Sequence, residues 1–486
     1  MIFRKRKQKK SYSNIQAAHP EPVFDNYLLQ YNRPGQSGEC ELVIGLDFGT
    51  SSSKVVIQAP DLPGRLSYAV DFGHLSKKSI PYLLPTKLWI TPDGICTLGP
   101  RDGARMISDI KLELFSTNEQ LTRVNSPTRN KLSPEEMAAI YLALVLRFCR
   151  KWFLETKQNE FRHFGSFRWN FNLGVPSPCI ENNEKNITFR RVGKAAWKLS
   201  TLSEELINPQ RARTELVNVD VPEYWDTDED FSCDFDIIPE IAAGAVGYAL
   251  SEHRREGLHV MVDIGASTVD VCSFKLYSQE GSDHYSLLLA DVQQLGTMRL
   301  FNHRLTSLIS LYERQLRGIR DAYDPMDPID DDIESLLLSH KQLNATIEEG
   351  KAQFKQHFLK MLKTVIWQTK LRKDPKSLVW SKGQLPILFT GGGSKMLFFR
   401  SAVDELDAWL KHYTKNNGIN LLPIPVPASL TDSVKNTDEH QFFAVTWGLS
   451  HRAIDVGEVI PADCNPDIKL PPPLDWRKRY VDKDQV

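Results

Sequence analysis

Two long stretches of this chain share one pattern of apolar and polar positions. Leu42 to Ile57, LVIGLDFGTSSSKVVI, is an apolar run, a polar turn presenting Asp47, Gly49, Thr50 and Ser51, and a second apolar run entered through Lys54. The pattern predicts two strands joined at a polar tip. His259 to Phe274, HVMVDIGASTVDVCSF, repeats it, with Asp263, Gly265, Ala266, Ser267 and Thr268 at the tip and Asp270 on the exit strand. Set over each other, Asp47 falls on Asp263 and Gly49 on Gly265. A third segment, PILFTGGGS from Pro386 to Ser394, is a short apolar strand that runs into three glycines, where a backbone can lie flat against a ligand.

Between these segments the pattern predicts helices and turns. Pro92-Asp93-Gly94 is a turn between two short strands, and a helix-like stretch carrying Lys111 comes next. Ser133-Pro134-Glu135-Glu136 is a capping box with proline at the first helical position, opening a helix through Phe153. Pro239 to Tyr248 is a small-residue helix suited to close backbone approach, with Glu240 at its start. The passage from Pro176 to Glu240 contains the acidic, aromatic segment VDVPEYWDTDEDFSCDFD. It is open to reading as an insertion, a lid or a partner surface, with a plain loop preferred. Residues 311–375 read as helices broken by an acidic turn from Asp324 to Asp332, with Glu348 and Lys351 three apart on one helical face. Residues 1–40 and the proline-rich 451–486 read as tails, the first beginning with six Lys or Arg in ten residues.

Composition narrows the class. With 41% hydrophobic and 25% charged residues the chain reads as ordinary and globular, and a formal net charge of -1 suggests neither nucleic-acid nor membrane binding. No apolar run approaches the ~18 residues of a membrane span. The seven cysteines are scattered without a CxxC pair, which argues for free thiols in a reducing cytoplasm and against a zinc site.

The chemistry predicted at the two tips is phosphate binding. Glycine lets backbone amides face an anion closely and the adjacent hydroxyls add donors, while the aspartate would repel a bare phosphate unless a divalent cation lay between them. Two such hairpins some two hundred residues apart imply duplicated domains facing one nucleotide.

The three segments, in this order, resemble the two phosphate motifs and the adenosine motif of the actin, sugar-kinase and 70-kilodalton heat-shock ATPase superfamily. The passages around Lys111, Ser133 and Glu240, and the closing Ala444-Val-Thr-Trp-Gly448 helix, are most similar to the heat-shock nucleotide-binding domain. The resemblance spans roughly residues 41–450, and residues 451–486 are too few for a peptide-binding domain. It implies an α/β fold of two lobes, duplicated ribonuclease-H-like domains: lobe I at 41–258, lobe II at 259–440 and a closing helix at 441–450 that returns to lobe I. ATP or ADP with Mg2+ would lie in the interlobe cleft.

Residue by residue, the resemblance implies phosphate contacts from Gly49, Thr50, Ser51, Gly265, Ala266 and Ser267. Asp47 and Asp263 would hold the metal, mainly through water, and Lys111, Glu240, Asp263 and Thr268 would serve hydrolysis. Glu348, Lys351, Gly392, Gly393 and Ser394 would contact adenosine. Two departures stand out. Ala266 and Ser267 replace glycines, a cost if those positions need positive φ, and Lys395-Met396 stands where an arginine usually stacks on the base. The implied function is slow Mg-dependent ATP hydrolysis in a nucleotide-gated switch or specialised chaperone acting on a partner protein. The alternatives are an actin-like filament or scaffold, with self-association left open, and a small-molecule kinase.

Overall fold

The computed structural model describes residues 38–76, 80–115, 132–177, 179, 182–202, 207–220, 233–300, 341–425, 427, 429–430, 442–465 and 467, with backbone alone over 341–348. The basic N-terminal stretch, the acidic turn at 324–332 and most of the proline-rich C-terminal stretch lie outside the described residues.

The chain is mixed α/β. Strands β1 (Glu39–Asp47) and β2 (Ser52–Gln58) form the first expected hairpin, and β3 (Ser67–Ala69) and β4 (Leu84–Pro85) each pair with β2. A small antiparallel sheet of β5 (Leu88–Ile90), β6 (Cys96–Thr97) and β7 (Arg105–Ile107) surrounds the turn at Pro92. Strand β8 (Ser166–Val175) lies parallel to β1, and β9 (Phe235–Pro239) lies parallel to β8. The first large sheet therefore runs β3-β2-β1-β8-β9.

The second large sheet repeats this plan. Strands β10 (Gly257–Ile264), β11 (Val269–Gln279) and β12 (Ser282–Gln293) are successively antiparallel, β13 (Leu385–Thr390) is parallel to β10, and β14 (Ile419–Leu422) is parallel to β13. Both sheets thus place three antiparallel strands beside two parallel ones, with the first strand of each hairpin in the middle. The inner strands read as near-continuous apolar runs because helices cover both faces.

Among the described residues, the helices packed around these sheets are α1 (Ile110–Phe115), α2 (Pro134–Thr156), α3 (Asn183–Thr201), α4 (Pro209–Asn218), α5 (Glu240–Ala249), α6 (Lys341–Gln368), α7 (Leu397–Thr414) and α8 (Ala444–Leu449). Helix α2 begins with the expected capping box: Ser133 Oγ accepts from the Glu136 amide and Glu136 Oε2 accepts from the Ser133 amide, both at 3.1 Å. The passage after Pro176 is helical in part rather than the plain loop expected, and residues 221–232 of its acidic segment lie outside the described residues. Phe189, Val192, Ala195, Ala196 and Leu199 recur at helical spacing, so α3 buries that face against α2, and α4 packs beside it. Nor is 451–486 wholly a tail, because β15 (Glu458–Ile460) pairs in parallel with β12.

Helices α5 and α8 join the two sheets. Ile241, Ala242 and Ala245 of α5 share a buried cluster with Met261 of β10 and Leu388 of β13. On its other side, Ala243 and Val246 share one with Val56 of β2 and Leu449 of α8. The helices cross at backbone contact: a Cβ on Gly448 would overlap the Ala243 carbonyl, so a side chain there would force them apart. The return of the chain to β1 is fixed by Asn172, which donates to the carbonyls of Leu449 and His451 at 2.8 and 2.7 Å. Arg452 completes it with a forked pair of bonds to Glu41 of β1 at 3.0 and 2.7 Å.

All seven cysteines are free thiols, six of them buried. No helix among the described residues is long and apolar enough to cross a membrane.

Candidate functional site

The tips of both hairpins converge on one cleft. Its wall carries Asp47, Gly49, Thr50, Ser51, Lys54, Lys111, Glu240, Asp263, Gly265, Ala266, Thr268, Asp270, Gly391, Gly392 and Phe442, among others. Residues from β1, α1, α5, β10, β11 and the glycine turn, separated by up to nearly four hundred positions, therefore meet at one place.

Each tip is held from behind. The Gly49 carbonyl accepts from Thr86 Oγ1 at 2.7 Å, Thr86 Oγ1 lies 3.2 Å from Ser53 Oγ, and Tyr141 donates to Ser53 at 3.0 Å. At the second tip the carbonyls of Gly265, Ala266 and Ser267 accept from the amides of Thr297, Met298 and Gly296 at 3.1, 2.6 and 3.0 Å. The Gly296-Thr297 turn thus braces the second tip. Among the described residues, the amides of Thr50, Ser51, Ala266 and Ser267 donate to no partner within the chain. Two pairs of unspent amides at facing tips form a place for an anion. Ala266 and Ser267 do not adopt positive φ, so the side chains that replace glycine there cost no backbone strain.

The charges are unevenly matched. Lys54 is paired with Asp47, and Lys111 Nζ donates to Glu240 Oε1 at 2.6 Å, with both side chains of the second pair buried. Asp263 and Asp270 add two further carboxylates, so among the described residues four acids face two ammoniums. The imbalance appears in their proton affinities. Burial pushes the Asp263 carboxyl up to about 7, with Glu240 and Asp47 adding to the effect. Burial likewise holds Asp270 well above its ordinary value, followed by the charges of Glu240 and Asp263. For Glu240, burial and then Asp47 outweigh the opposing pull of Lys111, so the carboxyl is raised despite its ion pair. Burial opposes the charge on Lys111, yet Glu240, Asp47 and Asp270 together hold that ammonium above its usual range.

This donor set fits a divalent cation. Asp270 Oδ1 is buried without a hydrogen-bond partner, and the surplus of two negative charges is the charge such an ion would cancel. Among the described residues no group of three or more His, Cys, Asp or Glu is placed to hold a metal ion directly.

Of the residues singled out in the sequence, Asp47, Gly49, Thr50, Ser51, Lys111, Glu240, Asp263, Gly265, Ala266, Thr268 and Gly392 all line the cleft. Ser267 does not; its side chain is buried behind the tip. Gly393 and Ser394 are buried in the turn behind Gly392, and Lys351 on α6 is not among the lining residues. The Glu348 side chain lies outside the described residues. The lining also includes Lys54, Asp270, Gly391 and Phe442, to which the sequence pattern assigns no role. Gly391 has φ +81°, and a Cβ there would strike the Asp263 carboxylate and the Ile264 carbonyl, so this glycine lets the third strand end against the second tip. The seven-residue spacing shared by Asp47 with Lys54 and Asp263 with Asp270 is the signal that marks those two positions.

Protein-family models give no match to this chain, and curated proteins give none either.

Proposed function

We propose that this protein binds ATP with magnesium between two lobes of an actin-like, duplicated ribonuclease-H-like fold, and hydrolyses it slowly as a nucleotide-gated switch acting on a partner protein. One observation carries this reading: two hairpins from two sheets of the same strand order present unspent amides and aspartates to one cleft, beside a buried Lys111–Glu240 pair. The resemblance to the heat-shock ATPases adds the nature of the ligand.

In this reading the amides at Thr50, Ser51 and Ala266, which line the cleft, hold phosphate oxygens from opposite sides. Asp47, Asp263 and Asp270 would hold the hydrated magnesium, which when bound supplies charge neutralisation between carboxylates and phosphates. Lys111, fixed by Glu240, stands ready to stabilise charge on the transferred phosphoryl group. Asp263, in the cleft beside Glu240 and Thr268, would help position the attacking water. Because α5 and α8 touch both sheets, loss of a phosphate linking the tips would let the lobes turn about that crossing.

The test is single-turnover hydrolysis of ATP with magnesium beside light scattering of the same sample. Slow phosphate release without scattering, lost in Asp47→Asn and Asp263→Asn, is the expected result. Unchanged hydrolysis in both variants overturns the proposal, and ATP-dependent scattering favours an actin-like filament instead.

A further inference from the structure

Phe442 is the one aromatic side chain that lines the cleft among the described residues. It enters from the chain leading into α8, yet it lies against the glycine turn that follows β13: a Cβ on Gly392 would sit 2.8 Å from Phe442 Cε1. Lys395, one turn further along that segment, places its Nζ 6.0 Å from the centre of the Phe442 ring. Gly392 is exposed, and Phe442 is only half-buried. An aromatic ring with a neighbouring cation therefore stands at the mouth of a cleft whose interior is built of amides and carboxylates.

The two ends of the cleft differ in chemistry. The charged interior suits phosphates and a cation, whereas an aromatic face is indifferent to phosphate and favours a flat, polarisable ring. We propose that Phe442, held beside Lys395, is the platform on which the nucleotide base stacks while the phosphates occupy the hairpin tips. The proposal rests on the nucleotide reading of the cleft and assigns to it a residue that comes from outside the glycine turn. It also accounts for Lys395-Met396 where a stacking arginine is expected: the flat surface comes instead from the chain leading into α8, packed on the same glycine turn.

The experiment is titration calorimetry of the full chain with ATP and, separately, with inorganic tripolyphosphate, each with magnesium. The proteins are wild type, Phe442→Ala and Phe442→Trp. Wild type should bind ATP more tightly than tripolyphosphate. Phe442→Ala should weaken ATP binding roughly tenfold and leave tripolyphosphate within twofold, and Phe442→Trp should retain ATP affinity. ATP affinity that is unchanged or improved in Phe442→Ala overturns the platform alone, the latter outcome meaning that the ring occupies space the base needs. Equal weakening of both ligands in Phe442→Ala, with or without loss of thermal stability, also overturns it, because a stacking residue discriminates between them. Wild type that binds neither ligand overturns the nucleotide reading itself.

Discussion

In the first hairpin Asp47 faces Lys54 across the paired strands, and in the second the residue at the same place opposite Asp263 is another carboxylate, Asp270. The backbones repeat and the charges do not. The first tip neutralises itself, while the second gathers two acids of raised proton affinity: burial, Glu240 and Asp47 raise Asp263, and burial, Glu240 and Asp263 raise Asp270. Duplication of a fold therefore need not duplicate a role. The second hairpin is where an external cation gains most, and the first can offer amides to an anion without an uncompensated charge of its own.

The comparison is broken most severely at Asp270. Asp270→Asn should lower magnesium-dependent ATP affinity by about 100-fold, as loss of a metal-organising group does, while raising the melting temperature of the metal-free protein, because burial makes that carboxyl costly to ionise and the amide carries no such cost. Calorimetry and melting in a chelator read both effects, and unchanged affinity would remove the cation from this hairpin. Next in size is Lys111→Ala, which should slow single-turnover phosphate release about 100-fold and change ATP affinity less than about fivefold. It should also destabilise the fold by about 3 kcal/mol, since Glu240 is left buried without its partner. Equal losses in rate and affinity would make Lys111 a binding residue only.

Lys54→Met makes the first tip resemble the second in lacking a counter-charge. ATP affinity should fall about tenfold, the scale of one lost charge-assisted contact, and an unaltered value would mean that the ion pair serves only the fold. The smallest effect is on pH dependence. The Asp263 carboxyl titrates at about 7 in the folded protein against an ordinary value of 3.8, so its contribution is fully present below pH 3.8 and is lost as pH rises through about 7. The metal-free protein should therefore melt roughly 5 °C lower at pH 8 than at pH 5 through this group. Asp263→Asn should flatten that slope.

Local chemistry was legible where it is written in consecutive residues. The two hairpins, the turn at Pro92 and the capping box at Ser133 follow from period, turn chemistry and capping, whereas the short helix at Ala444 follows only from the resemblance, and much of the cleft lining comes from the hairpin tips. Helices α3 and α4 were obscured by the acidic stretch beside them, although Phe189 to Leu199 carry a helical stripe. Strand β15 is three residues long and has no alternation long enough to read. The pairing of Asp263 with Asp270 depends on strand register, and the approach of Phe442 to Gly392 depends on how α8 crosses α5. Neither is a property of a local window.

The bonds from Arg452 to Glu41 of β1, and from Asn172 of β8 to the end of α8, have a consequence for synthesis. Strand β1 leaves the ribosome first, but the helix that covers it and the arginine that holds Glu41 come some four hundred residues later. At about 5–20 residues per second that delay is roughly 20 to 80 s, during which the face of the first sheet around Val56, packed by Val445 and Leu449 in the folded protein, lacks that cover. Completion of the first lobe is thus tied to the end of the chain, although its first strand is made at the beginning.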